Sequence, residues 1–335
     1  MSYEEFVGQI RERILSFLPE EYGDADVTVE EMIKNNDQKL QALHIKRPGD
    51  RVVPSIYLDS FYQMHQEGME IDRILKNVAQ LYHTGMEEGR AWQDFHVRDY
   101  DSVKDSLFIT VQNRDNNREH LKDIVHMDIP GTDITAVLRI MCSKDQEKEN
   151  VSIMVKGCML DRWGVTGKDI YEHALKNTER LLPPKMMNIE NVFSPDDNEG
   201  LESRDLKPYE IYVLSNDLNI HGAAAMLYPG LLQEIGEATG SSFYILPSSI
   251  HELILVRDNG DMSAEEFQHM VKTINRTQVR PDEVLSDEVY RFDHREQKLT
   301  MATDPARTKE YVEQMILERG CDDFLLGDDQ EEMER

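Results

Sequence analysis

The sequence predicts an α+β fold, with mixed helices and mostly antiparallel sheets in two packed units and an acidic C-terminal tail. Apolar residues recur at helical spacing in some stretches and alternate with polar residues in others, so both kinds of element are expected. A polar stretch at residues 188–208 separates two regions of this kind. The length of 335 residues also favours about two domains.

The N-terminal region, residues 1–187, is predicted to begin with a helix. Ser2 and Glu5 form the pattern of a capping box, and Phe6 and Ile10 follow at helical spacing. The other predicted elements of this region are two strands joined by a turn within 27–45, a short strand at 52–58, helices at 60–85, 101–111 and 118–125, strands at 135–142 and 151–155, and a helix at 169–182.

A linker is predicted at residues 188–208, where Ser194–Gly200 has no apolar face and several turn-forming residues. Residues 209–303 are predicted to form one compact α+β unit in the order β-α-β-β-α-β-β. Its first strand, Ile211–Leu214, is wholly apolar, which is typical of a strand covered on both faces. A second capping-box pattern, beginning at Ser263, predicts the start of its later helix.

Residues 304–335 are predicted to form a helix and then an acidic tail. Asp304 can cap this helix, and Pro305 suits its first turn. The helix has a thin apolar stripe, formed by Val312, Met315 and Ile316. Residues 318–335 carry eight acidic and two basic side chains, a pattern that predicts a solvated block.

The charge of the chain restricts its partners. Lys and Arg total 37 against 65 Asp and Glu, so the formal net charge is −28. Such a surface repels nucleic-acid phosphates and anionic membranes, and therefore argues against direct binding to either. It favours basic partners, and a basic protein is the partner that the charge predicts. Alternatively, a negative charge of this size serves only to keep the chain soluble and indicates no particular partner.

The cysteines and the N-terminus predict a protein of the reducing cytoplasm. Cys142, Cys158 and Cys321 are far apart and form no C-x-x-C pair, so neither a disulfide framework nor a cysteine-based zinc site is expected. The first residues lack the basic and apolar regions of a signal peptide. No stretch approaches 18 consecutive apolar residues, so no membrane span is expected.

Motifs for cofactors and metals are missing from the sequence. The turn Gly164–Asp169 lacks the first glycine of a phosphate-binding loop, and no G-x-G-x-x-G pattern occurs. His251 and Glu252 do not continue into the H-E-x-x-H pattern of zinc proteases. The sequence therefore predicts no cofactor and no metal site.

The loop Pro247–Glu252, between two predicted strands, is the candidate for catalysis. A serine beside a histidine can be activated by proton transfer, although side chains two apart on a strand lie side by side and do not face each other. Alternatively, the serines and the histidine of this loop form an ordinary turn between the two strands and have no catalytic role. The catalytic candidates are Ser248, Ser249, His251 and Glu252, and the binding candidates are Asn216, His221 and Asn275.

Several stretches resemble one known family. They are Tyr3–Phe6, Phe243–Glu252, Leu285–Phe292, Asn216 and Gly222–Ala224. Over about residues 1–303 the chain resembles a clostridial domain-of-unknown-function family, the one numbered 5688. The resemblance implies a bacterial cytoplasmic protein and a variable tail after residue 303. It implies no particular activity.

Two functional hypotheses follow from the sequence. The first is a cytoplasmic protein without enzymatic activity that binds another macromolecule, such as a basic protein. It rests on the strongly negative net charge of the chain and on the lack of a recognisable catalytic motif in the sequence. The alternative is a hydrolase or small-molecule-binding enzyme centred on the Pro247–Glu252 loop. The sequence indicates no oligomeric state.

Overall fold

The computed structural model describes residues 1–50, 53–89, 97, 99–142, 152–192, 211–247 and 249–303. Its helices and mostly antiparallel sheets confirm the α+β class. The helices are α1 (Tyr3–Arg13), α2 (Asp59–Gln66), α3 (Ile71–Gly89), α4 (Tyr100–Val103), α5 (Gly157–Trp163), α6 (Gly167–Leu181), α7 (Ile189–Val192), α8 (Leu231–Thr239) and α9 (Ala264–Thr277). The strands are β1 (Asp26–Lys34), β2 (Gln38–Lys46), β3 (Ile56–Tyr57), β4 (Leu107–Asn113), β5 (His126–Asp128), β6 (Ile134–Met141), β7 (Ser152–Met154), β8 (Pro184–Asn188), β9 (Tyr212–Asn216), β10 (Phe243–Leu246), β11 (Leu253–Arg257), β12 (Tyr290–Asp293) and β13 (Lys298–Met301).

The chain forms two compact units, and each takes residues from three separate stretches. The first unit contains Met1–Phe108, Asn116–Val125 and Leu138–Asn177, and the second contains Ile109–Asp115, His126–Val137 and the chain from Thr178 onward. The sequence predicts one continuous stretch for each unit. The difference arises because strand pairing joins residues distant in sequence, which local periodicity does not report.

The first unit has a core built from α1, α3 and the β1–β2 hairpin. The capping box at its start is confirmed, since Ser2 Oγ accepts from the Glu5 amide at 3.2 Å and the Glu5 carboxylate accepts from the Ser2 amide at 2.8 Å. Phe6 and Ile10, on the apolar face of α1, are fully buried. The predicted pair of strands is confirmed as an antiparallel hairpin, with Asp26 opposite Lys46.

The prediction of helices at 101–111 and 118–125 is wrong. Only Tyr100–Val103 is α-helical near the first, and Leu107–Asn113 is a strand in which every residue is buried. Near the second, His120–Asp123 is a single 3-10 turn. A short apolar run buried on both faces has no alternation, so periodicity alone does not separate it from a buried helix.

The second unit is organised around one antiparallel sheet. Six of the described strands form it, in the order β13-β12-β10-β11-β9-β8. Along residues 211–303 the elements run strand, helix, two strands, helix, two strands. Part of the predicted linker also joins this unit, because 188 ends β8 and 189–192 form α7. The rest of the linker, and the predicted helix and tail at 304–335, lie outside the described residues.

Helices pack on both faces of this sheet. On one face, the main core includes the 3-10 helix Gly222–Leu227 and α8. On the other face, α9 packs through Phe267 and Val271 against Leu246. The capping box at the start of α9 is confirmed, with Ser263 Oγ accepting from the Glu266 amide at 3.3 Å.

A buried carboxylate joins the sheet to an earlier part of the second unit. Asp133 accepts hydrogen bonds from Asn113 Nδ2 at 2.7 Å, from Ser286 Oγ at 2.8 Å and from the Tyr290 hydroxyl. Burial raises the pKa of Asp133, although each of the three donors favours its charged form. The pKa of Tyr290 lies well above its ordinary value, because the hydroxyl is buried and faces that carboxylate. The cluster is a satisfied polar network inside the core.

Candidate functional site

The predicted catalytic loop is held together by hydrogen bonds to its own backbone groups. Ser248 lies outside the described residues. The buried Ser249 uses its Oγ to accept the amide of His251 at 3.0 Å. The Glu252 carbonyl accepts the amide of Ser249 at 3.4 Å. The serine hydroxyl therefore stabilises a turn, as short polar side chains commonly do.

The imidazole of His251 is oriented by backbone and carboxylate. Its Nδ1 accepts the main-chain amide of His221 at 3.2 Å, and its Nε2 lies 3.7 Å from Glu283 Oε1. The two histidine rings stack with their centroids 5.8 Å apart. Because Nδ1 acts as acceptor, the neutral ring carries its proton on Nε2. The lone pair that a general base needs is thus already engaged in a hydrogen bond.

Asn216 organises the neighbouring loop. Its Oδ1 accepts the amides of Leu218 and Ile220, and its Nδ2 donates to the Ile220 carbonyl at 2.6 Å. Such side-chain bonds to nearby backbone are typical of an Asx turn. The role is structural, and it places His221 at the start of the 3-10 helix.

Gly222 shows how closely this junction is packed. Ser215 Oγ donates to the His251 carbonyl at 2.8 Å directly beneath it. A Cβ on Gly222 would lie 2.2 Å from Ser215 Oγ and 2.4 Å from the His251 carbonyl oxygen. Only glycine allows this approach of backbone to strand. The structure therefore brings together four of the predicted residues, which are Asn216, His221, Ser249 and His251, in a tightly bonded junction.

Asn275, the remaining binding candidate, belongs to α9. Its Nδ2 donates to the Ser286 carbonyl and to Asp287 Oδ1, both at 2.9 Å. Its Oδ1 has no hydrogen-bond partner within the described part of the chain. Asn275 also lines a cavity that sequence reasoning did not identify.

This cavity, called here the apolar groove, lies on the α9 face of the sheet and has a volume of about 410 Å³. Its apolar lining consists of Ile189, Ile211, Leu246, Ile254, Val256, Met262, Phe267, Met270, Val271 and Ile274. Its polar lining consists of Asn259, Asp261 and Asn275. Ile211 is 39% exposed and Met270 is 45% exposed, so large apolar side chains stand open to solvent here.

The alternation of β11 explains why the groove is apolar. Leu253 and Leu255 point into the main core, whereas Ile254 and Val256 point to the opposite face and are half-buried. A strand that is apolar on both faces is typical of a sheet covered on both sides. The signal was therefore present in the sequence, but only the structure shows that the cover is incomplete.

The width of the sheet agrees with this incomplete cover. Six strands spaced about 4.8 Å apart span about 24 Å, and a helix with its side chains is about 10 Å wide. On the groove face, α9 packs against β10, and the groove extends over β11 toward Ile211 at the start of β9. Among the described residues, α9 covers only part of this face, and the groove lies beside it.

A second cavity, in the first unit, is polar. It has a volume of about 510 Å³. Its central side chain is Arg47, which stacks over the Tyr22 ring at 4.5 Å and pairs with Glu21 at 3.1 Å and with Asp50 at 3.2 Å. The guanidinium is already paired with two carboxylates, so this cavity offers no spare positive charge for an anionic ligand.

Among the described residues, no three His, Cys, Asp or Glu side chains converge in a way that would hold a metal ion. No helix there combines the length and the apolar character needed to cross a bilayer.

The fold and its site define an α+β protein with a bonded histidine junction on one side of its main sheet and an open apolar groove on α9's side. The chain belongs to the family of unknown function DUF5688, which matches residues 3–294. The family resemblance seen in the sequence is thus confirmed. Comparison with curated proteins and with solved structures found no match.

Proposed function

We propose that this protein works by binding another protein, and that the apolar groove receives an apolar helical stripe of a basic partner. The observation that carries the proposal is the groove itself, about 410 Å³ in volume, with Ile211 and Met270 exposed at its edge. Amphipathic helices commonly bind in grooves of this kind through residues at positions i, i+3, i+4 and i+7.

Burial of apolar surface supplies the binding energy. Burying a fully exposed large apolar side chain is worth about 1.5–3 kcal/mol. Ile211 is 39% exposed and Met270 45% exposed, so covering both would contribute about 1–2.5 kcal/mol in total. Ordering of the two surfaces offsets part of this gain. The half-buried Ile254 and Val256 extend the same contact along β11.

Charge and polar groups select the partner. The net charge of −28 draws basic molecules toward the chain and repels acidic ones. Within the described lining, Asp261 is the one charged residue, and it is negative. The lining also contains the amide side chains of Asn259 and Asn275. These groups favour a partner rich in Lys, Arg and amide donors.

The enzymatic alternative receives less support from the same geometry. A hydrolase at the Pro247–Glu252 loop needs a histidine whose lone pair faces a hydroxyl. Here the Nδ1 of His251 accepts a backbone amide, and Ser249 Oγ accepts another. Both groups are engaged in holding the loop.

A designed peptide tests the proposal on the full chain. The probe is a 14-residue Leu/Lys peptide, of about four helical turns, with Leu at positions i, i+3, i+4 and i+7. A scrambled peptide keeps its composition and charge but has no stripe. Binding is measured by fluorescence anisotropy near physiological salt for the wild type, Met270→Asp and Met64→Asp. Met64 is 37% exposed and lies in the first unit, which makes it the matched control.

We expect the striped peptide to bind the wild type and Met64→Asp alike. Met270→Asp should weaken its binding about 10- to 100-fold, because the variant loses the apolar contact and also places a carboxylate against the Leu stripe. Equal binding of the scrambled peptide would show attraction by charge alone and would refute the groove as the site. Equal weakening by Met64→Asp would refute it as well.

A further inference from the structure

We propose that the outer edge of β1 is a second binding surface, which takes an extended basic segment of another protein as an added strand. β1 is the outermost strand of a three-stranded sheet and pairs, among the described strands, with β2 alone. This surface belongs to the first unit and shares no residue with the apolar groove. Addition of a strand to an open sheet edge is a common way of binding an extended peptide.

The register of the β1–β2 hairpin shows which main-chain groups face outward. Gln41 on β2 directs its own groups away from β1, since its amide donates to Asp59 at 3.0 Å and its carbonyl accepts the Leu58 amide at 2.9 Å. Gln41 lies opposite Glu31, so these two residues form a pair without mutual hydrogen bonds. Because the two kinds of pair alternate along an antiparallel ladder, the main-chain groups of Glu31 and of every second residue before it point away from β2.

The outward groups of Val27, Val29 and Glu31, called here the β1 edge, are open. Each residue presents one N–H and one C=O, and no hydrogen bond from the described part of the chain reaches them. The edge is closed beyond this point, because the carbonyl of Ile33 accepts a hydrogen bond from His120 Nδ1 at 3.0 Å. The open stretch is about 14 Å long, at about 3.4 Å per residue. Such a row of unpaired groups is a template for another strand.

The acidic side chains of β1 select a basic segment. Asp26 and Glu30 are exposed, lie on the same face of the strand and form no ion pair with a described residue. Glu31 is already paired with Lys39 at 3.0 Å. Opposite charges directly across two strands stabilise a sheet, and like charges destabilise it. Two lysines four positions apart on an incoming antiparallel strand would lie opposite Asp26 and Glu30.

The other face of β1 selects apolar side chains. Val27 and Val29 are partly buried and pack against the core of the first unit. Branched apolar side chains opposite them on an added strand would extend this apolar layer. Thr28 lies between the two valines, and a threonine opposite it would form a favourable pair. The segment that complements the β1 edge is therefore Lys-Val-Thr-Val-Lys.

A second copy of the chain suits the β1 edge less well than a basic segment. In the antiparallel register that pairs all nine residues of β1, Glu30 would face its own equivalent in the other copy. Asp26 would face Lys34, but Lys34 is held over the Tyr57 ring at 4.5 Å. Each copy also carries a net charge of −28, so two copies repel each other. Acidic side chains on an edge strand thus oppose self-pairing and favour a basic strand.

A methylated peptide tests the inference on the full chain. The probe is Lys-Val-Thr-Val-Lys, blocked at both ends, with an N-methyl group on Thr. In the proposed pairing the Thr N–H faces away from β1, so its methyl group stops the peptide from pairing with itself and leaves the binding side intact. The control peptide has the same side chains and charge, but its N-methyl groups are on the two Val residues, whose N–H groups face β1.

Residue-resolved hydrogen exchange of β1, followed by mass spectrometry, reports where the probe binds. In the chain alone we expect the amides of Thr28 and Glu30, which face β2, to exchange slowly and those of Val29 and Glu31 to exchange fast. At saturation the probe should slow Val29 and Glu31 at least about tenfold, and the control peptide should leave them unchanged.

Three outcomes would overturn the inference. Slow exchange of Val29 and Glu31 in the chain alone would show that the β1 edge is already covered. If that slow exchange required a high protein concentration, the covering strand would belong to a second copy. Equal binding of the probe and the control peptide would show attraction by charge without strand pairing.

Three substitutions give an independent test, with binding of labelled probe measured by fluorescence anisotropy. Val29→Pro removes an outward N–H that the ladder with β2 does not use, and it should weaken binding at least about tenfold. Glu30→Lys should weaken binding about three- to tenfold, because a like-charge pair replaces an opposite one. Glu296→Lys changes the net charge equally at an exposed position of the second unit and should have little effect. Equal weakening by the two lysine variants would overturn the inference.

Met270→Asp separates this inference from the proposed function. The substitution impairs the apolar groove of the second unit, so we expect the Lys-Val-Thr-Val-Lys probe to bind the variant as it binds the wild type. Weaker binding of this probe to Met270→Asp, with unchanged exchange of Val29 and Glu31, would place the probe in the groove and overturn the inference. Failure of the Leu/Lys helix to bind would refute the proposed function and leave the β1 edge unaffected.

Discussion

The buried carboxylate of Asp133 leads to a prediction about stability. Tyr290→Phe removes the hydroxyl that donates to Asp133 and leaves two donors, Asn113 and Ser286. Hydrogen bonds to charged groups contribute about 1.5–3 kcal/mol, so we expect a loss of about 2 kcal/mol in the free energy of unfolding near pH 7. Tyr228→Phe is the matched control, because Tyr228 is also buried and its hydroxyl donates at 2.7 Å to the neutral carbonyl of Leu182. For that bond we expect about 1 kcal/mol.

The difference between the two variants should depend on pH. Burial raises the pKa of Asp133, so the folded chain holds this proton more tightly than the unfolded chain. The contribution of Asp133 is therefore full below the unfolded pKa of about 3.9 and is lost as pH rises through the folded pKa. The Tyr290 hydroxyl favours the charged carboxylate, and its removal raises that pKa further. The extra cost of Tyr290→Phe over Tyr228→Phe should thus shrink as the pH is lowered.

Urea unfolding followed by circular dichroism measures both effects, with each variant compared at several pH values. Because the chain has two units, the transition of the second unit must be resolved before free energies are assigned. Equal costs for Tyr290→Phe and Tyr228→Phe near pH 7 would refute the assignment of a charged acceptor. A difference that grows toward acid pH would refute the sign of the pKa shift.

Two further substitutions test the local structure. Gly222→Ala places a Cβ 2.2 Å from Ser215 Oγ, so the backbone at residue 222 must move away from the strand that carries Ser215. We expect the free energy of unfolding, measured in urea, to fall by at least about 2 kcal/mol. A neutral effect would show that the junction is loosely packed. Ser263→Ala removes the side-chain cap of α9 and should cost about 1 kcal/mol, whereas Ser263→Gly should cost only a few tenths; equal costs for the two would argue against the cap.

Local sequence patterns predicted several elements correctly, because these elements are determined by residues that lie close together in the sequence. The capping boxes at Ser2 and Ser263 depend on residues three apart, and both are present. The hairpin of β1 and β2 depends on alternation and a polar turn, and it is also present. The strand Leu107–Asn113 overlaps the helix predicted at 101–111, and that prediction is wrong because burial on both faces comes from neighbours distant in sequence.

The candidate site likewise combines features that the sequence predicted with features that only the structure shows. The sequence placed Ser249 and His251 in one loop, but it did not show that their hydrogen bonds are directed to the backbone. Nothing in the sequence distinguished Asp133 from the other acidic residues as a buried side chain, because burial depends on what packs around a side chain.

The sequence by itself determined the charge, the helix caps, the strand alternation and the family of this protein, because these follow from residue types at short spacing. Only the tertiary structure decided which strands pair, that Asp133 is buried and which apolar side chains line a groove among the described residues. The apolar groove is the clearest case. Ile254 and Val256 are apolar in any fold, but they line a groove because α9 is narrower than the sheet on which it packs in the described part of the chain.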